Sequence, residues 1–175
     1  LKKNINVKSE WINLSKSLDR VLAKNLTSLC DNPPMDVSSM DGYAIKDKDY
    51  RIENTLEVID ESSAGRPSKK KIATGKAVRI FTGACIPEGA DKVIIQENVK
   101  VLPNNKIQII DASDITNLFI RKKGSDFKKG QYIRLNKLIS PRELLLLASM
   151  GYREFEVIKK FKISIISVGN ELIKP

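Results

Sequence analysis

Ala77-Val78-Arg79-Ile80-Phe81-Thr82-Gly83-Ala84 is a short β-branched run that ends on a Thr-Gly turn, the pattern of a strand closed by a tight reversal. The same texture extends to both sides of it. Runs at 56–59, 77–81, 93–96, 107–110 and 132–135 alternate with Ala64-Gly65-Arg66-Pro67, Thr74-Gly75, Pro87-Glu88-Gly89, Pro103-Asn104-Asn105 and Lys129-Gly130. Strands this short and this regularly punctuated predict a compact β-rich domain, a small barrel or sandwich.

Outward from that region the periodicity changes. Trp11, Leu14, Leu18, Val21 and Leu22 recur at helical spacing and predict an amphipathic helix over about 9–25. Asp31-Asn32-Pro33-Pro34 then imposes an extended path that runs to Met40. On the far side, Ser140-Pro141-Arg142-Glu143 is a capping box with Pro at the first helical position. The helix it opens carries Leu144 to Leu147 around most of its circumference, predicting burial, and Gly151 supplies a left-handed stop. Strands are expected at 155–158 and 162–168. The fold class is therefore α+β: a discontinuous α/β domain at 1–45 and 137–162 interrupted by an inserted β-rich, barrel-like domain at 46–136.

Composition narrows the chemistry. The chain has 175 residues and no His, which excludes Ser-His-Asp and Cys-His catalysis and any His-bearing zinc site. Cys30 and Cys85 stand far apart with no CxxC, so they read as small buried apolar residues in a reducing, cytoplasmic setting. No stretch is long and apolar enough for a membrane span, and residues 1–6 lack the apolar middle of a signal peptide. The formal charge of +10 favours polyanions in general. Only 8 of the 31 basic residues are Arg and aromatics are 6%, so nothing resembles a nucleic-acid-binding motif and no nucleic-acid or membrane partner is expected.

Neither GxxxxGK[ST] nor GxGxxG occurs. Thr82-Gly83 could offer a hydroxyl and backbone N–H groups to an anion, or could be a plain turn. Asp41-Gly42, Gly124-Ser125-Asp126 and Gly169-Asn170-Glu171 place acids in tight backbone. A Mg²⁺ site uses one or two carboxylates plus substrate phosphate oxygens, whereas Asp-Gly is equally a common hairpin turn.

Taken jointly, these segments resemble the molybdopterin molybdenumtransferases, the MoeA family, which is related to the E domain of gephyrin. The resemblance is carried by Pro33-Pro34-Met35-Asp36-Val37-Ser38-Ser39-Met40-Asp41-Gly42-Tyr43-Ala44, by the 77–84 run with Pro87-Glu88-Gly89-Ala90-Asp91 and Val93-Ile94-Ile95-Gln96-Glu97, by Arg121-Lys122-Lys123-Gly124-Ser125-Asp126, and by Ser167-Val168-Gly169-Asn170-Glu171-Leu172. It implies molybdate insertion into adenylylated molybdopterin with Mg²⁺, and a homodimer that works with a molybdopterin-adenylating protein. Residues 163–175 would open a pterin-binding domain, and the part in hand would be inactive alone. By motif position Asp41, Thr82, Asp126 and Glu171 would be catalytic, with Asp41, Asp126 and Glu171 holding Mg²⁺. Arg79 and Gly83 would bind the cofactor, and Thr82 with its neighbouring N–H groups would hold an anionic oxygen. Ser125 and Asn170 depart from the family pattern, where acids are common. A scaffold role on the same fold, as the gephyrin relative suggests, is the alternative; a basic nucleic-acid binder is a more distant one.

Overall fold

The computed structural model describes residues 7–166 and 168. The chain divides into two compact units, Leu1–Thr27 with Tyr132–Pro175, and Ser28–Gln131. The elements are β1 (Ser9–Asn13), β2 (Val37–Ser38), β3 (Gly42–Ile45), β4 (Thr55–Ser62) and β5 (Lys76–Ile80). They continue as β6 (Lys92–Ile95), β7 (Val99–Leu102), β8 (Lys106–Ile109), β9 (Ile120–Arg121), α1 (Pro141–Ser149) and β10 (Glu154–Ile158). The architecture is the discontinuous domain with an inserted, curled β-sheet that the sequence implies. The boundaries fall elsewhere than 45/46 and 136/137. Residues 28–45 go with the inserted unit because β3 is one of its inner strands.

In the discontinuous unit, β1 pairs antiparallel with β10, from Ser9↔Ile158 to Asn13↔Glu154. The helix expected over 9–25 is absent. Ser9 to Asn13 instead alternate between exposed and half-buried, and their backbone groups pair with β10. Trp11 is 61% exposed, so the apolar stripe of a helix there would have met no core. Leu22, Leu26, Ile139, Leu147, Met150, Phe155 and Val157 form the buried interior.

Helix α1 begins where its capping box directs. The Glu143 carboxylate accepts from the Ser140 backbone N–H, from the Ser140 hydroxyl and from the Asn136 side chain, and Gly151 ends the helix at φ 90°. Its four leucines are not all buried, since Leu145 is 74% exposed. Residues 132–135 make one bridge, Thr27↔Tyr132, rather than a strand. The strand expected at 162–168 is not formed among the described residues, and the opening of a further domain at 163–175 lies largely outside them.

The inserted unit is built on a six-stranded sheet in the order β6-β3-β5-β4-β8-β7. All pairs are antiparallel except β4 with β5, and a bulge interrupts β4 between Val58 and Asp60. Both faces are covered, which is why its strands read as continuous apolar runs rather than alternating ones. Tyr43, Ile45, Leu56, Ala77, Ile94 and Ile107 pack on one face, and Ala44, Ile72, Val78, Ile80 and Val93 on the other. Strand period two puts Arg79 on the Tyr43–Ala77 face. A separate two-stranded pair, β2 with β9, ties the extended 31–40 stretch to the 119–127 segment.

Gly42 is a strand residue and not a hairpin turn. It pairs with Ile80 on one side and Ile95 on the other. A Cβ at Gly42 would lie 1.8 Å from the Ile94 carbonyl oxygen, a backbone atom that no rotamer change can move aside. Gly42→Ala is therefore expected to destabilise the inserted unit by about 3 kcal/mol, the upper range for overpacking. Urea unfolding checks this as a lower midpoint, and an unchanged midpoint would show that the strands can separate without loss.

Candidate functional site

Because β3 runs between β5 and β6, the residues at its N-terminal end meet the residues that follow both neighbours. Asp41 precedes β3, and its Oδ1 accepts from the Thr82 backbone N–H at 2.7 Å and from the Thr82 hydroxyl at 2.8 Å. Its carbonyl accepts from the Gln96 N–H at 3.1 Å, which carries the β3–β6 ladder one step further. The carboxylate is fixed through one oxygen, and Oδ2 has no protein partner among the described residues. Gly83 turns the chain at φ 81°, over open surface.

The turn itself is not an open anion cradle. Its three successive N–H groups are engaged: Thr82 donates to Asp41, Gly83 to the Ser38 carbonyl at 2.8 Å, and Ala84 to the Phe81 carbonyl at 2.9 Å. The expectation that these N–H groups hold a substrate oxygen is thus not met. They hold Asp41 and the loop before β3.

Arg79, on β5, does keep unused donors. Its guanidinium lies over the rings of Tyr43 and Phe81, 5.0 and 4.9 Å from their centroids. It donates to the Gly42 carbonyl at 3.2 Å and to Gln96 Oε1 at 2.7 Å. A guanidinium has five N–H donors, so three are unengaged among the described residues.

Asp126 makes no hydrogen bond to Asp41 or Thr82 among the described residues; its partners are Arg121 and the Asn32 carbonyl. Both of its oxygens accept from Arg121 Nη2, at 2.9 and 2.8 Å. The basic loop after β9 is neutralised in the same way: Lys122 pairs with Asp36 at 2.8 Å and Lys123 with Asp31 at 3.3 Å. Among the described residues no three His, Cys, Asp or Glu side chains are gathered as a metal-holding group. Glu171 lies outside those residues. Cys30 and Cys85 are both half-buried rather than buried, and Cys85 Sγ lies 2.7 Å from Met35 Sδ.

Three acids of this unit, Asp31, Asp36 and Asp41, are held ionised by their hydrogen-bond partners. Asp41 titrates below the ordinary carboxylate range through the Thr82 N–H first, then the Thr82 hydroxyl, with the charge of Arg79 adding to both. Asp36 is lowered by Lys122 and by the Lys123 N–H, and Asp31 by the Lys129 N–H, with Lys123 assisting. A depressed carboxylate stabilises the fold fully above its unfolded value and loses that contribution as pH falls through the folded one. Asp36→Asn is therefore expected to lower Tm at pH 7 and to flatten its fall below about pH 4. Thermal melts between neutral and strongly acidic pH test this, and a variant that loses stability as steeply as the parent would contradict it.

The pinned Asp41 carboxylate, whose Oδ2 has no partner among the described residues, and the stacked Arg79 guanidinium belong to an inserted half-barrel of a discontinuous α/β domain. Comparisons with known proteins return the same fold. The model of the MoeA N-terminal region (domain I and II) matches residues 1–151. The molybdopterin molybdenumtransferase of Haemophilus influenzae is 36% identical over 95% of this chain and 41% of its own length. That of Bacillus subtilis is 36% identical over 94% and 40%. The crystal structure of the molybdopterin biosynthesis moeA protein from Pyrococcus horikoshii OT3 superposes with a TM-score of 0.76 at 34% identity, covering 86% of this chain and 41% of that one. The chain belongs to the MoeA family, and it spans about two-fifths of the length of these relatives. No helix among the described residues is long and apolar enough to cross a membrane.

Proposed function

We propose that this chain forms part of an enzyme of molybdenum-cofactor synthesis that inserts molybdate into molybdopterin, with adenylylated molybdopterin as the activated substrate. What supports the reading, beyond family membership, is the Asp41–Thr82 pair: a carboxylate kept charged and oriented through Oδ1, with Oδ2 left for a ligand. Asp41 fits a Mg²⁺ ligand, because this ion is commonly bound by one or two carboxylates together with substrate phosphate oxygens. Asp126 fits only on releasing Arg121, and Glu171 would supply the third acid. Mg²⁺, when bound, would neutralise charge at the pyrophosphate link of the substrate.

The chain's own groups then divide the work. Thr82 orients Asp41, and Gly83 gives the turn that brings Thr82 to it. Arg79 offers its three unengaged N–H groups to an anionic oxygen of the substrate. A homodimer, a molybdopterin-adenylating partner and a cytoplasmic location belong to the same proposal.

Complementation of cells lacking their own molybdenumtransferase, with the full-length protein, tests it. Thr82→Val is expected to lower cofactor synthesis about 10–100-fold, as losing an outer partner of a metal ligand does, and Asp41→Asn to lower it further. Unimpaired synthesis with Asp41→Asn would favour a scaffold role on this fold.

A further inference from the structure

Gln96 has no role in the reading above, yet it touches both halves of the site. Its backbone N–H donates to the Asp41 carbonyl at 3.1 Å. Its side-chain Oε1 accepts from Arg79 Nη2 at 2.7 Å, and its Nε2 donates to Glu97 Oε1 at 3.2 Å. The side-chain amide is thus fixed at both ends, its orientation set by an acid on one side and a guanidinium on the other.

Arg79 needs such a partner. Its register neighbour on β4 is Glu61, but no carboxylate pairs with it among the described residues. Its fixed points are the faces of Tyr43 and Phe81, the Gly42 carbonyl and Gln96. Stacking restrains the plane of a guanidinium but leaves it free to slide and to rotate within that plane. The two hydrogen bonds remove that freedom and decide which N–H groups point outward. A neutral acceptor does this without cancelling the charge, as a carboxylate in the same place would.

We infer that Gln96 is a positioning residue, which holds the Arg79 guanidinium at one station beside the Asp41–Thr82 pair so that its remaining N–H groups are presented to an oxyanion of the substrate. The inference deepens the proposed function and rests on it for the identity of that oxyanion, but the tether itself does not depend on the reaction.

A double-mutant cycle in the full-length protein separates the two. Arg79→Met, Gln96→Leu and the double variant are compared by KM for adenylylated molybdopterin, and the parent and Gln96→Leu also by the NMR-measured rotation rate of the Arg79 guanidinium about its Nε–Cζ bond. Gln96→Met serves as a second, unbranched replacement should Gln96→Leu fold poorly; the backbone bond to Asp41 persists in either. Gln96→Leu should speed the rotation, because a guanidinium released from one anchor is held only by the ring faces and the Gly42 carbonyl. KM should rise about tenfold in Gln96→Leu, the scale of one hydrogen bond to a charged group, with kcat within about twofold. The double variant should match Arg79→Met alone in KM, since Gln96 acts only through Arg79. A guanidinium rotation that Gln96→Leu leaves at the parental rate overturns the tether, whatever happens to KM. KM effects of the single variants that simply sum in the double also overturn it. If the protein does not carry out molybdate insertion, the KM arm has nothing to read, and the guanidinium rotation still decides.

Discussion

The close approach of β3 to β6 is the constraint from which the candidate site follows. It exists only because residue 42 has no side chain: the Ile94 carbonyl occupies the space a Cβ would need. With β3 seated between β5 and β6, the chain entering it delivers Asp41 to Thr82, in the turn that follows β5, and to Gln96, the residue that follows β6. A site assembled from three strand ends on a covered sheet is stiffer than one carried on a single loop, because displacing any member breaks ladder hydrogen bonds that the core reinforces. The glycine is thus a geometric requirement of the functional residues beside it.

Charge is arranged to keep that site ionised without filling it. The end of β9 and the loop after it are basic, and three of their cations are paired with acids: Arg121 with Asp126, Lys122 with Asp36 and Lys123 with Asp31. Asp41 is instead held by neutral donors, the N–H and hydroxyl of Thr82. Neutral donors stabilise the carboxylate while leaving its charge available to a ligand. The net positive charge of the chain lies mostly elsewhere. The unit Ser28–Gln131 carries 17 Lys+Arg against 15 Asp+Glu, and the discontinuous unit 14 against 6. A polyanion reading based on total charge therefore says little about the unit that holds Asp41.

The inserted sheet was readable because β-branched runs between Gly and Pro turns leave few other options. The 77–81 run appears as β5 and 93–96 as β6 within a residue at either end. Helix α1 was readable from its capping box, which works locally. The 9–25 segment departs from expectation for the opposite reason: a helical spacing of Trp11, Leu14, Leu18 and Val21 is indistinguishable in one dimension from a strand, a turn and bridges whose partners, β10 and Leu138, lie far along the chain. Strand β7 escaped because Val99-Lys100-Val101-Leu102 lies at the edge of the sheet with Val101 outward. Within the site, the residue types of Asp41 and Thr82 pointed to their chemistry, but the destination of the turn's N–H groups did not, since hydrogen-bond partners across 41 residues follow from register alone. Gln96 is legible only as the end of the 93–96 run and as part of the family match; an uncharged amide at a strand end gains a role only once Arg79 is seen to lean on it.

Thr82 holds the Asp41 carboxylate charged through one oxygen. The ¹³C titration of that side-chain carboxyl in the parent protein and in Thr82→Val reads this hold. The expected midpoint lies below the ordinary aspartate range in the parent and rises clearly toward that range once the hydroxyl is gone. A parental midpoint at the ordinary value, unmoved by the substitution, would contradict it.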